Sequence, residues 1–223
     1  MKYEIGNILR EVRIALDENA THNEVFSTDS DTLTLDDIIR QKISHGVCMI
    51  LESAPSNMLD SGIDFSGSEV LWNSGCSGIG SGRIRLPDDF LRLLVFRMSD
   101  WRIPVTETIT DSDPEYLFQV SKYPGIRGNT THPVCALTRD GTGKVLEFYS
   151  CRGGSNVGVE SARYISIPNT SNDTIDIPER LFIPCLYQIA GLTAMTYKDE
   201  HAQALFSVAK GFIDTGSLSD KKQ

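Results

Sequence analysis

The sequence predicts an α+β fold, with a helical bundle built from both ends of the chain and an antiparallel β-sheet or barrel region inserted between them. Apolar residues recur at helical spacing near both ends, whereas the middle alternates short apolar runs with turn-forming residues. The 223 residues are 40% hydrophobic, which is enough to bury a core. The predicted organisation is a bundle from residues 1–54 and 178–213, a flexible Gly/Ser-rich connection over 55–82, a β-rich insertion over 83–177, and a polar C-terminal tail over 214–223.

Two amphipathic helices are predicted at the N-terminal end. Residues 3–16 place Ile5, Ile8, Leu9, Val12 and Leu16 on one face. After an acidic, Ser/Thr-rich loop, Thr34 and Asp37 have the spacing of a capping box at the start of a second helix. An apolar stripe continues from that box until Ala54-Pro55 ends it.

The connection contains the stretch G-C-S-G-I-G-S-G, residues 75–82, which raises the question of a phosphate-binding loop. A P-loop requires a lysine after its glycines, and a dinucleotide fingerprint requires a helix there. Here the segment Arg83-Ile-Arg-Leu-Pro follows, and its sequence predicts an extended conformation rather than a helix. We therefore predict a flexible arm or hinge; nucleotide binding is the alternative that a bound phosphate would support.

The β-rich insertion is predicted from short segments separated by turns. Leu91–Phe96, Ile103–Ile109 and Tyr116–Val120 are the first, and Arg163–Ile167 is the last. Pro133–Thr138 and Lys144–Tyr149 flank Arg139-Asp-Gly-Thr-Gly, a strong hairpin signal because Asp-Gly tolerates positive φ angles.

Helices return at the C-terminal end. Pro178 and Pro184 are placed where they can open helical segments. A small-residue-rich stripe follows Pro184, and Asp199 can cap a last helix that ends before Gly216. The polar residues 214–223 are predicted to be disordered when the chain is alone.

Charge and cysteine content exclude several functional classes. Residues 1–82 carry thirteen acidic and five basic residues, −8 of a net charge of −9, which is unsuited to gripping nucleic-acid phosphates. The five cysteines are scattered without zinc-ligand spacing, so no metal is expected and reduced thiols are predicted. No apolar run approaches the roughly 20 residues of a membrane span, and the N-terminus has no signal-peptide pattern.

No catalytic constellation is predicted. His132 and Cys135 could form a nucleophilic pair, but in a strand residues three apart lie on opposite faces. Asp88 and Asp89 follow Pro87 and fit a turn or helix start better than an acid/base pair. We therefore predict no catalytic, cofactor-binding or metal-binding residues.

The arginines between residues 83 and 102 form the densest basic series of the chain and indicate a protein contact surface. Aspartates interleave with them, which favours a protein partner over nucleic acid. The alternative is ordinary surface charge that protects a sheet edge from aggregation. The candidate contacts to another subunit or a partner are Arg83, Arg85, Arg97, Trp101 and Arg102, together with Leu218, Lys221 and Lys222 in the C-terminal tail.

The order of these parts resembles a family of phage proteins. Leu86-Pro-Asp-Asp-Phe-Leu-Arg-Leu-Leu, followed by Trp101 and β-structure, is similar to the entry segment of head-to-tail connector (adaptor or ring) proteins of short-tailed phages, including crAss-like phages. The closing helices, with an Ala-rich segment and an acidic break, resemble the end of that family as well.

The resemblance implies a structural virion protein without enzymatic activity or cofactor. It implies a ring, commonly of twelve copies, at the head–tail junction, assembled in the host cytoplasm. The implied partners are other copies of the chain, the portal protein and the next tail or ring protein, with DNA passing through the channel without specific binding and no membrane contact. By the same resemblance, removal of residues 214–223 is expected to weaken portal association and leave the fold intact.

Two other functions stay open at the level of the sequence. One is an enzyme that uses Cys135 and His132 or binds a nucleotide at the glycine stretch. The other is a binding module with a ligand pocket in a β-barrel.

Overall fold

The computed structural model describes residues 1–16, 34–73, 80–119, 121, 123, 126–141, 143–152 and 157–219. In chain order the helices and strands are β1 (Lys2–Glu4), α1 (Ile5–Ala15), α2 (Leu35–Ser53), β2 (Ile63–Asp64), β3 (Val70–Trp72), β4 (Gly80–Arg85), β5 (Phe90–Met98), β6 (Ile109–Thr110), α3 (Pro114–Phe118), β7 (Cys135–Asp140), β8 (Gly143–Cys151), β9 (Val159–Ser166), β10 (Thr174–Asp176), α4 (Phe182–Thr196) and α5 (Ala202–Ser219).

The chain has an α+β fold, as the sequence predicts. It divides into two compact units, a helical unit of Met1–Asp60 with Ile167–Gln223 and a β unit of Ser61–Ser166. The boundaries differ from the predicted ones at both ends of the insertion. The β unit begins earlier because β2 and β3 belong to its sheets, and β10 belongs to the helical unit because it pairs with β1.

Helix α4 is the central element of the helical unit and packs against α1, α2 and α5. Its buried residues lie on more than one face, which is typical of a helix surrounded by others. Pro184 lies in the first turn, where its missing N–H costs no intrahelical hydrogen bond, so the predicted role of this proline is confirmed. Gly46 of α2 permits close approach, because a Cβ there would lie 2.7 Å from Cγ1 of Ile189.

Helices α1 and α2 pack as their sequences indicate, although α1 begins at Ile5 rather than residue 3, because Lys2–Glu4 is strand β1 and pairs with β10. The buried side chains of α1 are Ile5, Ile8, Leu9 and Val12. The capping box of α2 is confirmed: the backbone N–H of Asp37 donates to Thr34 Oγ1 over 3.3 Å, and the N–H of Thr34 donates to Asp37 Oδ2 over 3.2 Å.

The β unit contains a three-stranded and a five-stranded sheet. Their strand orders are β2-β9-β5 and β3-β4-β8-β7-β6. All pairs are antiparallel except β6 with β7, and the predicted β7–β8 hairpin is confirmed, with Asp140 paired to Gly143 at its tip.

Residues from both sheets share one core. Phe96 of β5 and Phe148 of β8 have ring centroids 6.1 Å apart, and the Trp101 ring lies edge-on to both. All three side chains are almost fully buried. Rings of this size contribute much of the apolar area that holds the two sheets together.

The segment that carries the family resemblance forms the corner between the two sheets. Leu86 and Phe90 are buried, and Pro87–Asp89 makes the turn that passes the chain from β4 to β5. The hydroxyl of Tyr164 donates to Asp89 Oδ1 over 2.9 Å. In this chain the segment therefore has a structural role at a corner.

Three further expectations differ from the structure. Residues 55–82 were predicted to be a flexible connection, but their described part includes β2, β3 and the start of β4. Residues 74–79 lie outside the described part. Ile103–Ile109 is mostly irregular, with one bridge from Val105 to Phe96, because Pro104 cannot donate to a ladder. Tyr116–Val120 is not a strand: α3 occupies its described part up to Phe118, opened by Pro114.

The C-terminal tail also differs from the prediction. Helix α5 continues through Asp214 to Ser219, so the part of 214–223 that the structure describes is helical. A Cβ at Gly216 would lie 2.7 Å from Cε of Met58, which places this last part of α5 against the turn at Ser56–Met58.

Candidate functional site

The predicted basic contact residues do not form one surface. Arg83 and Arg85 are exposed on the outer face of β4. Arg97 forms an ion pair with Glu160 over 3.2 Å. Trp101 is 2% exposed and belongs to the core, so its side chain is not available to a partner. Arg102 is exposed.

The candidates in the C-terminal tail are only partly described. Leu218 lies in the last turn of α5, and its side chain is outside the described part. Lys221 and Lys222 lie outside the described residues altogether.

Cys135 and His132 do not have the geometry of a nucleophilic pair. Cys135 is 1% exposed at the start of β7, whereas His132 is exposed before the strand begins. Burial raises the pKa of the Cys135 thiol, and the neighbouring Cys151 raises it further. An activated cysteine needs a lowered thiol pKa, so this thiol is held in its unreactive form.

The glycine stretch is described only at its end. Residues 75–79 lie outside the described part of the chain, and Gly80–Gly82 belongs to β4. A Cβ at Gly82 would lie 2.7 Å from Cζ of Phe148, so this glycine allows an aromatic ring to pack on the strand. Asp88 and Asp89 lie in the corner turn, as predicted.

The described residues contain no group of three or more His, Cys, Asp and Glu side chains that could hold a metal ion. A cleft of about 260 Å³ lies between the corner turn and the β7–β8 hairpin, lined by both acidic and basic side chains. A second cleft, of about 350 Å³, lies beside β5. No helix within the described ranges is long and apolar enough to cross a bilayer.

A polar cluster on the outer face of the five-stranded sheet fixes the loop that contains α3. The hydroxyl of Tyr116 donates to Oε2 of Glu147 over 3.0 Å, and the hydroxyl of Tyr149 donates to the same oxygen. Burial raises the pKa of Tyr149, and its hydrogen bond to Glu147 raises it further. Both phenols thus donate to one carboxylate, and the bond from Tyr116 attaches α3 to strand β8 of the sheet.

Further hydrogen bonds hold the same loop from within. Gln119 is 5% exposed; its amide nitrogen donates to Glu115 O over 3.0 Å, and its amide oxygen accepts from Gly128 N over 2.9 Å. Asp113 Oδ2 accepts from the N–H of Thr110 over 2.6 Å. That N–H, followed by the Thr110 hydroxyl, lowers the pKa of Asp113, so its carboxylate stays charged.

This well-bonded loop exposes its large apolar side chains. We call the described residues from Asp111 to Gly128 the outward loop. Its exposed apolar side chains are Leu117 and Tyr123, each at 72%, Ile126 at 56% and Phe118 at 51%. Several exposed large apolar side chains within one short loop are typical of a segment that contacts another molecule.

The charged residues at the start of the outward loop are acidic. Asp111 and Glu115 are exposed, and Asp113 is half-buried. Sequence reasoning missed this surface because its short apolar run was assigned to a strand. The signal that could have found it is Asp-Pro-Glu at residues 113–115, an acidic helix start with proline at the first helical position.

A second exposed surface lies where β5 ends. We call Arg102, Ile103 and Arg152 the arginine patch. Ile103 is 49% exposed, and both arginines are exposed. Asp100 joins the parts of the patch, since its Oδ2 accepts from the N–H of Arg152 over 2.8 Å and Arg102 follows two residues later.

No protein-family model matches the chain, and no curated protein sequence matches it significantly.

Proposed function

We propose that this chain is a structural virion protein that forms a ring below the portal and connects the DNA-filled capsid to the tail. In this role the protein works through contacts with other proteins. Its partners would be further copies of itself in a ring, commonly of twelve copies in the family that the chain resembles, together with the portal and the next tail component.

The observation that carries the proposal is the outward loop. Hydrogen bonds of Tyr116, Gln119 and Asp113 already hold this loop in place, so binding costs little conformational entropy in the parts that they fix. The same loop presents exposed apolar side chains to a partner. This arrangement suits protein contact. The described residues offer no comparable arrangement for chemistry, because the Cys135 thiol is buried and its pKa is raised.

The resemblance of the Leu86–Trp101 segment and of the closing helices makes the proposal specific. An α+β chain with helices from both ends and a β unit between them has the same order of parts. The acidic first third is compatible with a channel surface that DNA passes without sticking, because like charges repel phosphate.

The decisive experiment is negative-stain electron microscopy of the purified protein mixed with the portal protein encoded in the same genome. A ring seated on the portal is the expected result. Virions that lack the protein should lose DNA and fail to attach tails. A protein that stays monomeric with the portal, together with deletion virions that retain DNA and carry tails, would refute the proposal.

A further inference from the structure

The outward loop and the arginine patch are complementary in chemistry. The loop combines exposed apolar side chains with the acidic residues Asp111, Asp113 and Glu115. The patch combines an exposed apolar side chain, Ile103, with the cations Arg102 and Arg152. Opposite charges around apolar centres are the usual arrangement of two surfaces that bind each other.

The two surfaces do not cover each other within one chain. Leu117 keeps 72% and Ile103 keeps 49% of its surface exposed. The C-terminal end of the loop nevertheless lies beside the patch, because the N–H of Arg102 donates to Thr130 O over 2.8 Å and Thr130 is two residues beyond Gly128. Both surfaces are held by hydrogen bonds and both remain open, so a second copy can satisfy the complementarity that one chain leaves unused.

We propose that the outward loop of one copy docks on the arginine patch of a second copy. Leu117 and Phe118 supply the apolar contact with Ile103, and Glu115 lies against Arg102. The contact joins unlike surfaces, and when it is repeated from copy to copy with a rotation that closes, it generates a ring. The inference names the subunit contact of the proposed ring and to that extent rests on the proposed function.

The experiment is sedimentation equilibrium of the full chain over a range of protein concentrations. The wild-type protein should self-associate, and Leu117→Ser should lower the association constant by about tenfold or more, as expected for a central apolar contact. Ile63→Ser is the matched control, since Ile63 is 46% exposed on β2 in the other sheet. This control should associate as the wild type does.

Charge reversal tests the pairing itself. Glu115→Arg and Arg102→Glu should each weaken association, and a mixture of the two variants should restore it because each new charge then meets its opposite. The control here is Glu69→Arg, which reverses an exposed charge outside both surfaces. Circular dichroism of each variant establishes that the fold is retained.

The outcomes separate this inference from the proposed function. Self-association that all the variants leave unchanged, or a mixture that fails to restore it, overturns the docking surface while the ring proposal stands. A wild-type chain that stays monomeric overturns the docking surface, and the virion deletion then decides the function independently.

Discussion

At the scale of single residues, two glycines in the last two helices have different surroundings. A Cβ at Gly191 of α4 would lie 2.5 Å and 2.7 Å from two ring carbons of Phe206. A Cβ at Gly211 of α5 would meet no atom within 4 Å. The absence of a side chain therefore allows close packing of α4 and α5 at one position and only costs backbone entropy at the other.

The substitution Gly191→Ala is expected to destabilise the protein by about 1–3 kcal/mol, because the Phe206 ring must move as a whole. Gly211→Ala is the matched control and should stabilise it by roughly 0.5–1 kcal/mol. Urea unfolding followed by circular dichroism measures both. Equal effects of the two substitutions would contradict the close approach at Gly191.

Tyr164 predicts a specific alkaline sensitivity. Burial, followed by the hydrogen bond to Asp89, raises the pKa of Tyr164 to about 12 from 10.0. A raised phenol pKa means that the folded state favours the protonated form, so the contribution to stability is complete below pH 10 and is lost as the pH rises towards 12.

The substitution Tyr164→Phe should therefore reduce the fall in unfolding free energy between about pH 10 and pH 12, by at most about 1.4 kcal/mol per pH unit. Denaturant unfolding at a series of pH values measures this slope. Tyr123→Phe is the control, because that ring is 72% exposed. A slope that is unchanged by Tyr164→Phe would show that this hydroxyl does not titrate with unfolding.

At the scale of secondary-structure elements, local patterns with a specific chemical signal could be predicted from the sequence. Thr34 with Asp37 and the Asp-Gly turn after Arg139 each define their own geometry through nearby atoms. The helix start at Asp113-Pro-Glu could have been predicted, but the attachment of the outward loop to the sheet could not, because the place of Tyr116 depends on Glu147, thirty-one residues away. Trp101 was predicted to be an exposed contact residue, because its burial depends on tertiary packing against Phe96 and Phe148 that the local sequence does not show.

The length of α5 changes the expected effect of removing the C-terminal residues. Deletion of residues 214–223 removes the end of α5 and its packing at Gly216 against Met58, so we expect a lower thermal midpoint. Deletion of residues 220–223 alone leaves the described helix complete and should have little effect on the midpoint.

Differential scanning calorimetry of both truncated proteins distinguishes stability from portal binding. If the longer deletion unfolds at the wild-type temperature, the contact between Gly216 and Met58 contributes nothing to the fold. Loss of portal binding by the shorter deletion, with an unchanged midpoint, would instead support a direct role for Lys221 and Lys222 in the portal contact.

At the scale of the whole molecule, charge governs what the protein can bind. The net charge is −9, and most of the excess acid lies in the first 82 residues. Nucleic-acid binding depends on cations that displace counterions from phosphates. The molecule as a whole should be repelled by DNA.

We therefore expect no measurable retention of duplex DNA by the protein at about 150 mM salt. Fluorescence anisotropy with a labelled duplex is a suitable measurement, and Arg102→Glu serves as a control for local attraction at the arginine patch. Saturable binding that weakens steeply with added salt would show that the arginines act on phosphate, which contradicts passage of DNA without retention.

The division of the chain also has a consequence for its synthesis. The β unit is a continuous segment, whereas the helical unit needs residues from both sides of it. On the ribosome, residues 61–166 can fold while α1 and α2 still wait for α4. The helical unit is completed only after α4 and α5 have been synthesised, so nascent chains stalled before α4 would carry a folded β unit and an incomplete helical unit and would be natural targets for chaperones.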